Sequence, residues 1–503
     1  MDDDESPRRS MLLRALDEVG LVSLYHSPKD VKFLCMQRFV RLFAYGASTL
    51  VLVLYLQALG NSKTRIGLFM TLTLAGDVCI SLALTLVADR LGRKAVLALG
   101  AALMSGAGVA FALFENYWVL LVAAIFGVIS PSGNEIGPFR AIEESVVAHL
   151  SEAASRSDIY AWYSLLGSAG SACGFMTCGW VVHHLSHDRH WELINAYRFI
   201  FVGYAVLGLV KFTLALLLSR AVEADDKSEL LSDDEASEDA PLLSIRDDED
   251  IVLEVVEPEP TKRRFSLLPD ISKESYAILL KLCLLFGLDA FASGLASLSW
   301  MTYFFRWRYG IEEGRLGSIF FTASIITAIS MLVASSLAKR IGNIKVHAYS
   351  RFAVFFFRLS TFTPEHSFLL FFKTMVFTHL PSSVFLSLIG LVSDARLSLL
   401  LLFLRASTQS MDTAPRSAFI AAIILPQERT VMMGFINVVK TMAQSLGPII
   451  TGILADHGLF WVAFLAAGAL KSSYDLGLLA VFKNRESREE EHGAGYSDEQ
   501  GRP

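Results

Sequence analysis

The chain has 503 residues, 53% of them hydrophobic and 19% charged, with a mean hydropathy of +0.47 and a formal net charge of −6. So much apolar sequence excludes an ordinary soluble globule, and the almost charge-free runs 116–134, 199–218 and 319–337 are too long and too uniform for barrel strands. The negative charge sits mainly in the tails and one linker, so it indicates no nucleic-acid partner.

In chain order, residues 1–30 form an Asp- and Glu-rich cytosolic tail without a cleavable signal, and the first span serves as its own. Spans follow at 31–59, 66–87, 95–114, 118–148, 159–184 and 196–219, so 31–220 makes one six-helix bundle. Residues 221–275 are acidic, Ser-rich and poor in aromatics, the composition of a disordered linker. Within it Asp226…Leu230-Leu231 and Glu238…Leu242-Leu243 resemble acidic dileucine sorting signals. Further spans at 276–305, 316–338, 374–393, 397–424, 431–455 and 459–482 make a second bundle over 276–483, and 484–503 is a disordered tail. The five cysteines, Cys35, Cys79, Cys173, Cys178 and Cys283, fit no metal or redox spacing and read as buried free thiols. Lys and Arg in the short loops nearly balance. The flanking set that includes Lys29, Lys32, Arg220, Lys262, Arg263, Arg264 and Lys483 puts both termini and the linker in the cytosol.

The halves repeat. Arg65-Ile-Gly67 opens span 2 as Arg315-Leu-Gly317 opens span 8, and Val87-Ala-Asp89-Arg90-Leu-Gly92-Arg93-Lys94 has its counterpart in Leu337-Ala-Lys339-Arg-Ile-Gly342. Glu135-Ile-Gly-Pro138 in span 4 likewise matches Asp412-Thr-Ala-Pro415 in span 10. The stretch from Thr85 to Lys94 resembles the loop signature of the major facilitator superfamily, with Thr85 in place of its first glycine, and the resemblance covers nearly all of 31–483. It implies an all-α polytopic membrane protein of twelve transmembrane helices in two pseudo-symmetric six-helix bundles. In that loop Gly92 permits a tight turn, Asp89 can accept from a helix N-terminus as a latch, and Arg90, Arg93 and Lys94 add topology charge.

Charge inside a span is costly and by default marks function. Span 4 carries Glu135, Arg140, Glu143 and Glu144. Span 10 aligns Arg405, Gln409, Asp412 and Arg416 on one helical face. Both spans are interrupted by proline, which removes a donor and frees a carbonyl such as that of Asn134. Interruptions at equivalent places in two repeats point to a transporter site. One reading sets Glu135 and Asp412 across a cavity as proton-loading carboxylates, tuned by Arg140 and Arg416. The other makes Arg140–Glu144 and Asp412–Arg416 structural ion pairs. Further candidates are Arg38, Arg41, Tyr45 and Ser48 on span 1, Asp289 on span 7, and Asn437, Lys440 and Gln444 on span 11.

Residues 346–373 break the repeat: Gly92 to Pro138 is 46 positions, Gly342 to Pro415 is 73, and removing this 28-residue block restores the register. The block reads as a retained intron or an inserted surface segment. The sequence as a whole predicts a monomeric, proton-coupled secondary carrier of a small organic solute, with no cofactor, in a plasma, vacuolar or endosomal membrane. A drug or toxin efflux antiporter is one alternative. A non-transporting carrier-like sensor or scaffold is another, against which the span 4 and span 10 charges weigh. No phosphate-binding loop or nucleophile–base spacing supports a pump or an enzyme.

Overall fold

The computed structural model describes residues 20–127, 129, 131, 138–152, 155–223, 273–343, 367–411, 416, 423–424 and 428–482, and all regular structure among them is helical. The first half contains α1 (Lys29–Ala58), α2 (Lys63–Leu91), α3 (Arg93–Leu113), α4 (Tyr117–Phe126), α5 (Pro138–Leu150), α6 (Arg156–His183) and α7 (Leu193–Leu216). The second contains α8 (Lys273–Leu295), α9 (Leu298–Tyr309), α10 (Glu313–Asn343), α11 (Ser367–Leu391), α12 (Ala395–Thr408), α13 (Arg429–Asp456) and α14 (Phe460–Phe482). Seven helical stretches are long and apolar enough to cross a bilayer by themselves. Shorter helices lie among them; in the region of span 4, α4 ends at Phe126 and α5 begins at Pro138, and most of the stretch read as interrupted lies outside the described residues.

Local chemistry sets the boundaries. The Ser62 hydroxyl accepts from Arg65 N–H at the start of α2, and the Asn116 side chain accepts from Trp118 and Val119 N–H at the start of α4. Gly92 alone separates α2 from α3, and its φ of 85° is one that L side chains rarely adopt. One break was not foreseen: span 7 divides at Ala296–Ser297 into α8 and α9 without any proline. The suspected insert falls largely outside the described residues, but its last part, 367–373, is the continuous start of α11.

Each half packs in the same way. α3 lies on α7 as α11 lies on α14, and between the halves α2 meets α13 as α10 meets α6. Spans 2 and 8, and spans 5 and 11, are thus exchanged by the repeat. The outside is apolar, with Leu284 72%, Leu113 68% and Trp118 61% exposed, while several charged side chains lie in the interior. That inversion suits a lipid solvent, in which an apolar surface costs nothing and buried polar groups must find partners within the protein. All five cysteines are free, but Cys79 is exposed and Cys173 only partly covered, so the expectation of uniform burial is corrected. In lipid an apolar thiol gains nothing by facing inward.

Alternating helix directions give the bundle two ends. The tail end holds Lys29, Gly92 and Leu216; the far end holds the turns at 59–62, 114–116, 310–312 and 457–459.

Candidate charge networks and the far-end contacts

In the first half, Glu143 on α5 is wholly buried and carries two cations. Arg41 of α1 donates to its Oε2 at 2.7 Å, Lys211 of α7 lies 3.2 Å from Oε1, and the Tyr163 hydroxyl of α6 donates to Oε2 at 2.6 Å. Arg38 stacks its guanidinium 4.2 Å from the Tyr163 ring centroid. Asp77 of α2 and Gln37 of α1 are buried on neighbouring helices, and Asp77 lies within the field of Arg41. Four helices therefore converge on one carboxylate.

The second half repeats this plan with two partners exchanged. Asp289 on α8 takes Lys471 of α14 at 2.5 Å and Arg416 of span 10 at 3.7 Å. The first half has Arg on span 1 and the carboxylate on span 4; the second has the carboxylate on span 7 and Arg on span 10. Lysine stays on span 6 and on span 12. Exchanging an ion pair end for end preserves its Coulomb energy, so the arrangement survives although the residues at equivalent places differ. Beside it, His379 Nδ1 of α11 sits 2.9 and 3.0 Å from the two oxygens of Asp475 on α14.

The halves are joined at the far end. Asp456, closing α13, accepts from the N–H groups of Lys63 and Thr64 at the start of α2, at 3.1 and 2.7 Å, which is a helix N-terminus capped from the other half. Tyr197 donates to Glu313 at 3.2 Å, Trp180 Nε1 to Ser318 at 3.0 Å, and His183 lies 3.7 Å from Glu312. Backbones touch at two glycine crossings: a Cβ on Gly67 would lie 2.5 Å from the Pro448 carbonyl oxygen, and one on Gly179 2.4 Å from that of Glu313. Asp456→Ala should weaken far-end closure by about 1–2 kcal/mol, the usual worth of a cap. The check is faster maleimide labelling of a cysteine placed at Thr71; unchanged labelling would show that the cap does not hold this end.

Two helical halves, built alike and each closed around a buried charge network, match at residues 34–378 the sequence profile of the Major Facilitator Superfamily. The chain belongs to that superfamily. This superfamily member is 35% identical over 457 residues to the uncharacterized membrane protein YJR124C of Saccharomyces cerevisiae, covering 90% of the chain and 94% of the yeast protein. Among solved structures it is similar in fold to a D-xylose–proton symporter, at TM-score 0.63, 12% identity and coverage of 89% and 96% of the two chains. It is similar also to the nucleoside transporter NupG, at TM-score 0.61, 11% identity and coverage of 90% and 100%. A bacterial homologue of the human lysosomal transporter Spinster gives TM-score 0.56, 13% identity and coverage of 90% and 94%.

The sequence-predicted residues of this superfamily member divide into groups. Glu135, Asn134 and Asp412 lie outside the described residues, as do the side chains of Asp89 and Arg90. Arg41, Glu143, Asp289 and Arg416 are brought into the two networks. Arg140 pairs with Glu144 at 2.7 Å on a half-exposed face, the structural pairing weighed for it above. Arg416 reaches Asp289 on another span, a partner the helical spacing did not reveal. Arg405 points at the Met301 sulfur at 3.7 Å, and Gln409 donates to Thr327 at 3.1 Å. Asn437 is exposed, Lys440 lies 5.6 Å from the Phe286 ring centroid, and Gln444 is buried. At the signature loop, the N-terminus of α3 is capped by Glu223, whose carboxylate accepts from Arg93 and Lys94 N–H at 2.6 and 3.2 Å. Sequence reasoning missed Glu223, Asp77, Tyr163, Lys211, His379, Lys471 and Asp475.

Proposed function

We propose that the chain is a secondary carrier that moves a small organic solute across a bilayer by alternating access, its two halves rocking as rigid units. One observation carries this reading. Among the described residues, the strongest polar contacts lie within each half, Glu143 with Arg41 and Lys211 and Asp289 with Lys471 and Arg416, whereas the contacts between halves gather at the far end. A pair of bodies that are stiff inside and joined to each other chiefly at one end can exchange one closed end for the other without losing internal contacts. On the orientation expected from the Lys and Arg distribution, the far end faces away from the cytosol, and the conformation is closed there. The proline-interrupted stretches that the sequence marks at equivalent places of spans 4 and 10 are where a solute would meet both halves. Solute transfer of this kind is driven here by a proton gradient.

The test uses a Lys63→Cys/Asp456→Cys variant in an otherwise cysteine-free chain, reconstituted into vesicles loaded with an isotope-labelled metabolite extract. The intact protein should release at least one solute of the extract, and bridging the cysteines with a short bis-thiol reagent should stop that release until the bridge is reduced. Release unaffected by bridging, or no protein-dependent release at all, would defeat the carrier reading.

A further inference from the structure

α11 and α14 bury a titratable pair that the carrier reading does not by itself require. His379 is 4% and Asp475 1% exposed, and the imidazole Nδ1 spans both carboxylate oxygens at 2.9 and 3.0 Å. The Ser383 hydroxyl reaches the same carboxylate at 3.5 Å, and the Tyr474 ring stands edge-on to the imidazole with centroids 6.2 Å apart. The charged groups in its field are Asp289 of α8 and Lys471 of α14, with Arg416 joined to Asp289. Asp289 is held by two fixed cations, whereas Asp475 is bonded to a group that gains and loses its charge.

Two observations argue against a purely structural role. Replacing a buried ion pair by apolar side chains is often neutral or stabilising, so burial of such a pair is not explained by stability. Counted in the repeat register, with the 28-residue excess removed, the place of His379 in the first half is taken by Ala101, which is wholly buried. The helix pair α3–α7 packs in the same manner as α11–α14 without an imidazole there. In addition, Pro381 sits inside the continuous helix α11 two residues beyond His379 and leaves the Phe377 carbonyl without its helical donor, so one rung of the hydrogen-bond ladder is missing beside the pair.

We infer that His379 and Asp475 together bind the proton that this carrier moves with its solute. Histidine is the side chain whose ordinary pKa lies between about 5 and 8, the range in which such a gradient operates. In the unloaded form the neutral imidazole donates Nδ1–H to Asp475. Loading adds one proton from water to Nε2 and gives an imidazolium paired with the carboxylate; release removes the same proton to water on the other side. No other bond changes. The added charge lies one ion pair away from Arg416, which is the link from the proton to span 10, where the solute is expected.

This inference rests on the carrier reading, and its test is independent of the solute. Vesicles containing the full chain are adsorbed on a solid-supported membrane and given a pH jump, so that the proton is the only probe. The wild-type chain should give a transient current whose amplitude passes through a midpoint as the size of the pH jump is varied. His379→Gln should abolish that current while keeping the wild-type melting temperature, and Asp475→Glu should keep the current but move its midpoint. An unchanged current in His379→Gln overturns the assignment. Should that variant fail to fold, an unmoved midpoint in Asp475→Glu overturns it instead. The bridged-cysteine experiment above judges the carrier reading separately, because it follows solute rather than charge.

Discussion

Replacing Glu143 with alanine is expected to destabilise the first half by about 3–5 kcal/mol, the usual cost of removing one partner of a buried ion pair. Arg41 and Lys211 would remain beside each other in the interior, and the Tyr163 hydroxyl would lose its acceptor. Glu143→Gln should cost less, because an amide keeps an acceptor for Tyr163 while losing the charge. The comparison that makes the measurement informative is Arg140→Ala, three residues earlier on the same helix. That pair is half exposed, and its loss should cost roughly 0–1 kcal/mol. Thermal unfolding of the three variants in one detergent settles the matter, and Glu143→Ala melting with Arg140→Ala would sink the account of a network centred on Glu143.

The second large effect concerns conformation rather than stability. Valine at Gly67 or at Gly179 would drive a side chain into a backbone oxygen of the opposite half. Overpacking of this kind costs about 1–3 kcal/mol, and here only in the state closed at the far end, so each variant should shift the balance away from that state by roughly 5- to 150-fold. Labelling of a far-end cysteine from outside sealed vesicles should accelerate accordingly. Wild-type labelling rates in both variants would mean that the glycine crossings do not govern closure.

Much of the fold was readable from pattern. Apolar length placed the spans, and the matched strings at Gly67 and Gly317, Gly92 and Gly342, and Pro138 and Pro415 revealed the duplication. The structure adds the pairing of α2 with α13 and of α6 with α10, which no local string encodes. The division of span 7 at Ser297 escaped notice because no proline marks it and the nearby Gly294 lies inside an apolar run. Within the site, clustered charge drew attention to spans 4 and 10, and of the single charges elsewhere Arg41, Asp289 and Lys440 were picked out while others were passed over. Lys211 lay inside a run read as almost charge-free, and Asp77, Lys471 and Asp475 were equally isolated. Each could have been found by applying the cost of an intramembrane charge to every span alike. Their partners could not, because Arg41 and Glu143 are 102 positions apart and Lys471 and Asp289 are 182. Periodicity reports which residues share a helix face, not which helices face each other.

The end-for-end exchange of arginine and carboxylate between the halves has a bearing on how the molecule responds to its surroundings. Both networks are sealed within their own half, whereas His183–Glu312 and the Asp456 cap sit at the rim, where dissolved ions reach them. Raising ionic strength screens the rim and leaves the sealed charges nearly untouched. Salt should therefore quicken the opening of the far mouth while the melting point stays where it was, so that the pace of turnover and the durability of the fold are set by different electrolyte-exposed and electrolyte-blind parts of one chain.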